Sequence, residues 1–317
     1  MAHEVEQMAY ANEVPWHGLG FNISADATIE QWQTAAGLDW TVKKAPVLYV
    51  NGSQHVFKDR FVLYRDTDSK PMGIAAGRYK IVQPKELLEF YRDLIDRFGM
   101  KIETAGSLRD GKRVWALAKT GDVHKVLGKD EVAAYMLLAT SYDSTFSTLA
   151  QFTTVRVVCN NTLSLSMKDK SARVTIPHVQ QFDADAVKEE MGIGKRAWEA
   201  FCIASDTLAK AKVDDEIAGQ FIANLFDVNK LRELEKVEEL AVAEKHAGNV
   251  LAIYDSTAPA SLLAGRTAWG LVNAVTSYVD HSKRARGNEG RLNSAWFGEG
   301  AQLKQQAWDR ALELVAV

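Results

Sequence analysis

The chain has 317 residues, 47% of them hydrophobic and 25% charged, with a formal net charge of −3. That length allows one large domain or two of ordinary size, and the composition is that of a globular chain. The charge excludes a wholly basic nucleic-acid binder, although a local basic stripe on an acidic body stays compatible with it.

Residues 1–37 carry few periodic signals and read as irregular. Pro15-Trp16-His17-Gly18-Leu19-Gly20 is read as a loop, and a short helix is expected near Thr28 to Ala36, capped by Asp26 or Thr28. From Trp40 the pattern turns to β: Trp40-Thr41-Val42 and Val47–Val50, an Asn51-Gly52 hairpin turn, a return strand His55–Tyr64, and short strands at Gly73–Ala75 and Tyr79–Val82. Pro84 opens an amphipathic helix with Leu87, Leu88, Tyr91, Leu94, Ile95 and Phe98 on one stripe and Gly99 after its end. Strands follow at 101–108, 113–118, 131–140 and 146–158, with a turn at Tyr142-Asp143-Ser144-Thr145, and a last one at 172–176. Helical periods then fill 183–212, 214–226, 229–253, 261–285 and 300–315. Strands followed by helices predict an α+β fold: an antiparallel β-rich N-terminal half with one packed helix, and an all-helical C-terminal half. The expected division is an irregular segment 1–37, a β-rich core domain 38–180 and a helical domain 181–317.

Enzyme signatures are sparse. No phosphate loop, dinucleotide fingerprint, nucleophile elbow or zincin motif is present, and the seven histidines are scattered. Neither a metal nor a cofactor is expected. Asp214, Asp215 and Glu216 fall at a helix start, where acids serve as caps and dipole partners. Cys159 has no histidine near it in sequence to act as a base and reads as a buried small residue. Two cysteines give no disulfide framework, which is cytoplasmic usage. An acidic, non-apolar N-terminus and the lack of any run of about 18 apolar residues predict neither a signal peptide nor a membrane span.

Two basic clusters stand out. Arg156, Lys168, Lys170 and Arg173 against Asp169 give a net of +3 within 18 residues; Lys283, Arg284, Arg286 and Arg291 against Glu289 give +3 within nine. Asn160, Asn161 and Thr162 lie in the first cluster. Lys and Arg neutralise phosphates, and small polar side chains add hydrogen bonds to phosphate and sugar. Tyr142, Phe146, Phe152, Trp269, Tyr278 and Trp296 offer rings on which bases stack. The competing reading of the second cluster is an ordinary solvated helix end. The apolar stripe Leu231, Leu234, Val237, Leu240 and Ala241 on the charged helix 229–245 fits internal packing better than an oligomer seam.

Three strings carry a family resemblance: Pro15-Trp16-His17-Gly18-Leu19-Gly20, Arg156-Val157-Val158-Cys159-Asn160-Asn161-Thr162-Leu163, and Trp269-Gly270 with Asn273-Ala274-Val275-Thr276 and Tyr278-Val279-Asp280-His281. With them the chain resembles the phage/plasmid-like proteins of domain-of-unknown-function family 932. Where that family often has Asp-Gly-Ser, this chain reads Asp143-Ser144-Thr145. The resemblance implies a mobile-element setting and supplies no catalytic residue. Such elements commonly encode proteins that bind and anneal single strands as oligomers, so the expected function is ATP-independent single-stranded DNA binding or annealing in recombination or replication. The expected partners are single-stranded DNA and further copies of the chain. The competing readings are a nucleotide- or nucleic-acid-processing enzyme using Cys159, Asp280 or His281, and an interaction protein that binds a host factor.

Overall fold

The computed structural model describes residues 5–12, 20–156, 161–164, 173–191, 194–284 and 291–316. Strand pairing starts earlier than the sequence suggests. Val5–Tyr10 (β1), inside the segment read as irregular, pairs in parallel with Phe21–Asn22 (β2) and antiparallel with the strand Lys101–Leu108. Met8 and Ala9 are both buried, one in each of two separate cores, so β1 lacks the apolar–polar alternation of a half-exposed strand. Ile29–Ala35 (α1) follows with Thr28 as its cap: Thr28 Oγ1 accepts from the Gln31 N–H, and Gln31 Oε1 accepts from the Thr28 N–H.

Val42–Asn51 (β3), Ser53–Arg65 (β4) and Pro71–Ala76 (β5) form a three-stranded antiparallel sheet about the predicted Asn51-Gly52 turn. The strand expected at Tyr79–Val82 is not formed. Its backbone bonds elsewhere, Tyr79 N–H to the Ala76 carbonyl and Lys80 N–H to the His178 carbonyl, before Pro84 starts the next helix. Pro84–Phe98 (α2) buries Leu87, Leu88, Tyr91 and Leu94 on the predicted stripe. Each such side chain contributes about 1.5–3 kcal/mol through burial.

The main sheet is built from Lys101–Leu108 (β6), Arg113–Val126 (β7), Asp130–Ser141 (β8), Thr148–Arg156 (β9), Asn161–Ser164 (β10) and Arg173–Ile176 (β11). Its order is β10-β9-β8-β7-β6-β1-β2, with β11 also on β9. Both faces of the central strands are buried. Val114, Ala116, Met136 and Leu138 face the core shared with α2, where Tyr91 Oη donates to the Ala116 carbonyl at 2.8 Å. Trp115, Leu117, Tyr135 and Leu137 form a second core on the opposite face. Arg65 fastens the smaller sheet to the larger. Its Nη2 lies 2.8 Å from the Glu6 carboxylate and 2.9 Å from the Asp110 carbonyl, while the guanidinium stacks over Trp40.

The rest of the described chain is helical: Ala184–Met191 (α3), Gly194–Lys210 (α4), Asp215–Leu225 (α5), Val228–Glu233 (α6), Val237–Tyr254 (α7), Pro259–Ala264 (α8), Ala268–Ser277 (α9), Arg291–Phe297 (α10) and Glu299–Val315 (α11). The molecule is therefore of mixed α+β type, with its large sheet in the N-terminal part and its helices in the C-terminal half. Two predicted helices are broken. The one expected over 229–245 stops where Glu235 adopts φ +54°. There the Lys236 N–H reaches the Leu231 carbonyl and the Glu235 N–H that of Arg232, a Schellman ending made without glycine. The helix expected over 261–285 is interrupted at Gly265, after which Thr267 caps α9 by accepting from the Gly270 N–H. At Gly270 a Cβ would stand 2.1 Å from the Gly265 carbonyl oxygen, so only glycine lets α9 approach that turn. One apolar core continues from the sheet into the helices, through Phe201, Leu208, Trp269 and Trp308.

Candidate nucleic-acid interface

β9 is the strand that organises the candidate surface. Along its outer edge two short strands lie end to end: β10 with Asn161 opposite Arg156, and β11 with Arg173 opposite Gln151. On its inner edge β8 places Val132 opposite Arg156. β10, with no apolar–polar alternation to announce it, was not expected as a strand. It also lies beside α9 and α11.

From the end of α9 the chain passes through a wide π-type turn, Tyr278–Ser282, and delivers Lys283 and Arg284. Lys283 is half-buried, with Glu299 at 3.9 Å; Arg284 is exposed. Tyr278 Oη and His246 Nδ1 are hydrogen-bonded beneath this turn. Burial, and then the positive charges of Lys283 and Lys245, hold the His246 imidazole below its ordinary value. Of the two sequence-predicted clusters, the described members are thus Arg156 and Arg173 on β9 and β11, and Lys283, Arg284 and Arg291 between the π-type turn and the start of α10.

Arg173 is exposed on β11, and among the described residues no carboxylate pairs with it. The neighbouring chain strips enough water from its guanidinium to lower its pKa from the ordinary arginine value. An arginine remains charged through such a shift. Asn160, Lys168, Lys170, Arg286 and Cys159 lie outside the described residues. For Arg156, Asn161, Thr162 and Arg291 the description is of the backbone, which places them on β9, β10 and the start of α10.

The aromatic residues offered for base stacking are a correction. Tyr142, Phe152, Trp269 and Tyr278 are buried, so no base reaches them. Phe146 stacks on Phe297, with ring centroids 4.9 Å apart, and Trp296 packs edge-on against Trp115; these rings cover the second core. Large rings beside polar residues satisfied the sheet's need for two covered faces. Asp280, a candidate of the enzyme reading, is buried and holds Lys304 Nζ at 2.8 Å. Sequence reasoning missed Lys304. Its signal was there, since it occupies the apolar stripe Gly300, Ala307, Trp308 and Ala311 of α11, where a lysine needs a buried partner.

The turn before β9 is held by Arg113. Its Nη2 donates to Thr145 Oγ1 at 2.9 Å, its Nε lies 3.7 Å from the Asp143 carboxylate, and its guanidinium sits over Phe146. Ser144 takes φ +60° there. The tight turn is therefore kept, with serine standing where a glycine suits the backbone better. Among the described residues no group of three or more His, Cys, Asp or Glu side chains is arranged to hold a metal ion, and no helix is long and apolar enough to cross a membrane.

Comparison with known proteins adds the family. No curated protein and no solved structure matches the chain. The model of a domain of unknown function, DUF932, matches residues 71–296, from β5 to α10 and thus over most of both halves, and the chain belongs to that family.

Proposed function

We propose that the protein holds nucleic acid, single-stranded DNA in the first place, along the outer edge of its main sheet, for annealing or recombination in a mobile-element setting within the cytoplasm. The carrying observation is the exposure of one cation from each basic segment, Arg173 on the outer edge of the sheet and Arg284 after α9. β10 and β11 share one edge of β9, and β10 lies beside α11 and beside α9, whose C-terminal end leads through the π-type turn to Lys283 and Arg284. Arg173 and Arg284 are exposed cations without a carboxylate partner among the described residues, which suits a phosphate contact better than an internal ion pair. With Tyr142, Phe152, Trp269 and Tyr278 buried, the grip is electrostatic and sequence-tolerant, a matter of charge and of hydrogen bonds from Asn161 and Thr162.

Fluorescence polarisation with labelled single- and double-stranded oligonucleotides tests the reading. Binding is expected at low salt, weakening steeply as salt rises because each neutralised phosphate releases counterions. Arg173→Glu combined with Arg284→Glu lowers affinity by about tenfold or more, by removing two phosphate contacts and adding repulsion. Absence of binding at low ionic strength overturns the proposal.

A further inference from the structure

The β3–β4 hairpin runs past the edge of its own sheet. β5 pairs with β4 only from Arg60 to Tyr64, so between Val47 and Phe57 the hairpin is a bare two-stranded arm. Asp59 at φ +57° and a register shift after Pro46 mark its root, where the extra residues bend it away from the sheet. Every residue from Leu48 to Arg60 is exposed. Both faces are apolar. Tyr49 and Phe57 stand on one, Leu48, Val50 and Val56 on the other, and Val50 and Phe57 are 80% and 51% accessible. An isolated two-stranded hairpin is marginal in water, and an apolar surface of this kind marks an interaction site. Its root carries Lys43, Lys44, Lys58 and Arg60 against two carboxylates, Asp59 and Asp66. Asp66 lies 3.9 Å from Lys43 Nζ and Lys44 Nζ donates to the Tyr79 carbonyl, which leaves Lys58 and Arg60 as the outward basic pair.

The opposite character occurs at the α6–α7 corner. All residues from 232 to 239 are exposed there, with Leu234 and Val237 at 57% and 75%. Within 232–239 these two apolar residues stand among Glu233, Glu235, Glu238 and Glu239, against Arg232, which pairs with Glu244, and Lys236, which lies 3.6 Å from Glu239. An apolar centre within an acidic rim complements an apolar arm with a basic root.

From this complementarity we infer that the arm of one copy docks on the α6–α7 corner of a second copy. Two different patches meet, so the contact is heterologous, and repetition gives a ring or an open filament rather than a closed two-fold dimer. Like charges oppose the symmetric alternatives, root against root or corner against corner. The inference stands apart from the nucleic-acid reading, because it concerns surfaces remote in sequence from residues 156–173 and 283–291.

The test measures mass by light scattering or sedimentation over a range of protein concentration, with nucleic acid absent. Wild type is expected to associate beyond the monomer, less so at high salt. Lys58→Glu with Arg60→Glu reverses the arm, and Glu238→Lys with Glu239→Lys reverses the corner. Each variant alone is expected to lose association by about tenfold or more in dissociation constant, and an equal mixture of the two to recover it. These positions are exposed, and circular dichroism checks that the variants fold. A wild type that stays monomeric at every concentration overturns the inference, as does association that survives either reversal or a mixture that stays dissociated. Monomers whose arm instead binds anionic phospholipid vesicles overturn it in favour of a lipid partner.

Discussion

Trp269 Nε1 donates to Asp130 Oδ2 at 2.8 Å, and both residues are buried. This bond joins the first turn of α9 to the start of β8, 139 residues apart in sequence. A buried carboxylate needs donors and a buried indole N–H needs an acceptor, so each makes the other's burial tolerable. Asp130→Ala is expected to lower unfolding free energy by about 2–3 kcal/mol, because it strands the indole. Asp130→Asn keeps an acceptor and costs less. Urea denaturation of the three proteins measures both; equal midpoints for wild type and Asp130→Ala refute the coupling.

Lys304 and Asp280 form the second buried polar link, between α11 and the π-type turn. Removing one charge takes from the other its partner at 2.8 Å in a buried setting. Lys304→Met is expected to destabilise by about 3–5 kcal/mol, and adding Asp280→Leu to recover a good part of that. A double-mutant cycle by chemical denaturation reads the coupling, and strictly additive effects contradict it.

Ser144 carries strain that glycine does not. At φ +60° an L-residue pays about 1–2 kcal/mol, part of which glycine returns through its freer unfolded chain. Ser144→Gly should therefore raise stability by about 0.5–1 kcal/mol. Thermal unfolding shows it as a higher midpoint; a lower one would mean that the serine side chain holds the turn.

His178 stacks on Tyr79 with ring centroids 4.4 Å apart, and its Nε2 lies 3.0 Å from the Phe146 carbonyl. Burial lowers its pKa from the ordinary 6.5, although the carbonyl pulls the other way. The folded value is the lower one, so the unfolded chain binds the proton first as pH falls. Stability is complete above the ordinary value and is lost as pH drops through the folded value. Unfolding midpoints from about pH 7 to about pH 5 should fall less steeply in His178→Phe than in wild type. Parallel curves exclude the residue as a source of acid sensitivity.

Much of the strand and helix content is legible along the chain. The Asn51-Gly52 turn, the stripe of α2 between Pro84 and Gly99, and the Thr28 cap each express a local preference that tertiary structure leaves in place. β1 and β10 are not legible, the first because it is buried on both faces and the second because its four residues hold a single apolar one, Leu163, too few to show an alternation. The aromatic residues misled for a related reason. A ring looks the same in sequence whether it will stack on a base or, like Phe146 and Trp296, cover a sheet.

Sequence by itself determined the mixed α+β layout, the family, and the two basic clusters, since these depend on which residues occur and on short-range period. Tertiary structure decided the neighbours. It set β10 and β11 on one edge of β9 and brought β10 beside α9 and α11. It also paired Asp280 with a lysine on another helix, and left the β3–β4 arm uncovered. Those outcomes depend on contacts between residues far apart in the chain, and no local propensity encodes them.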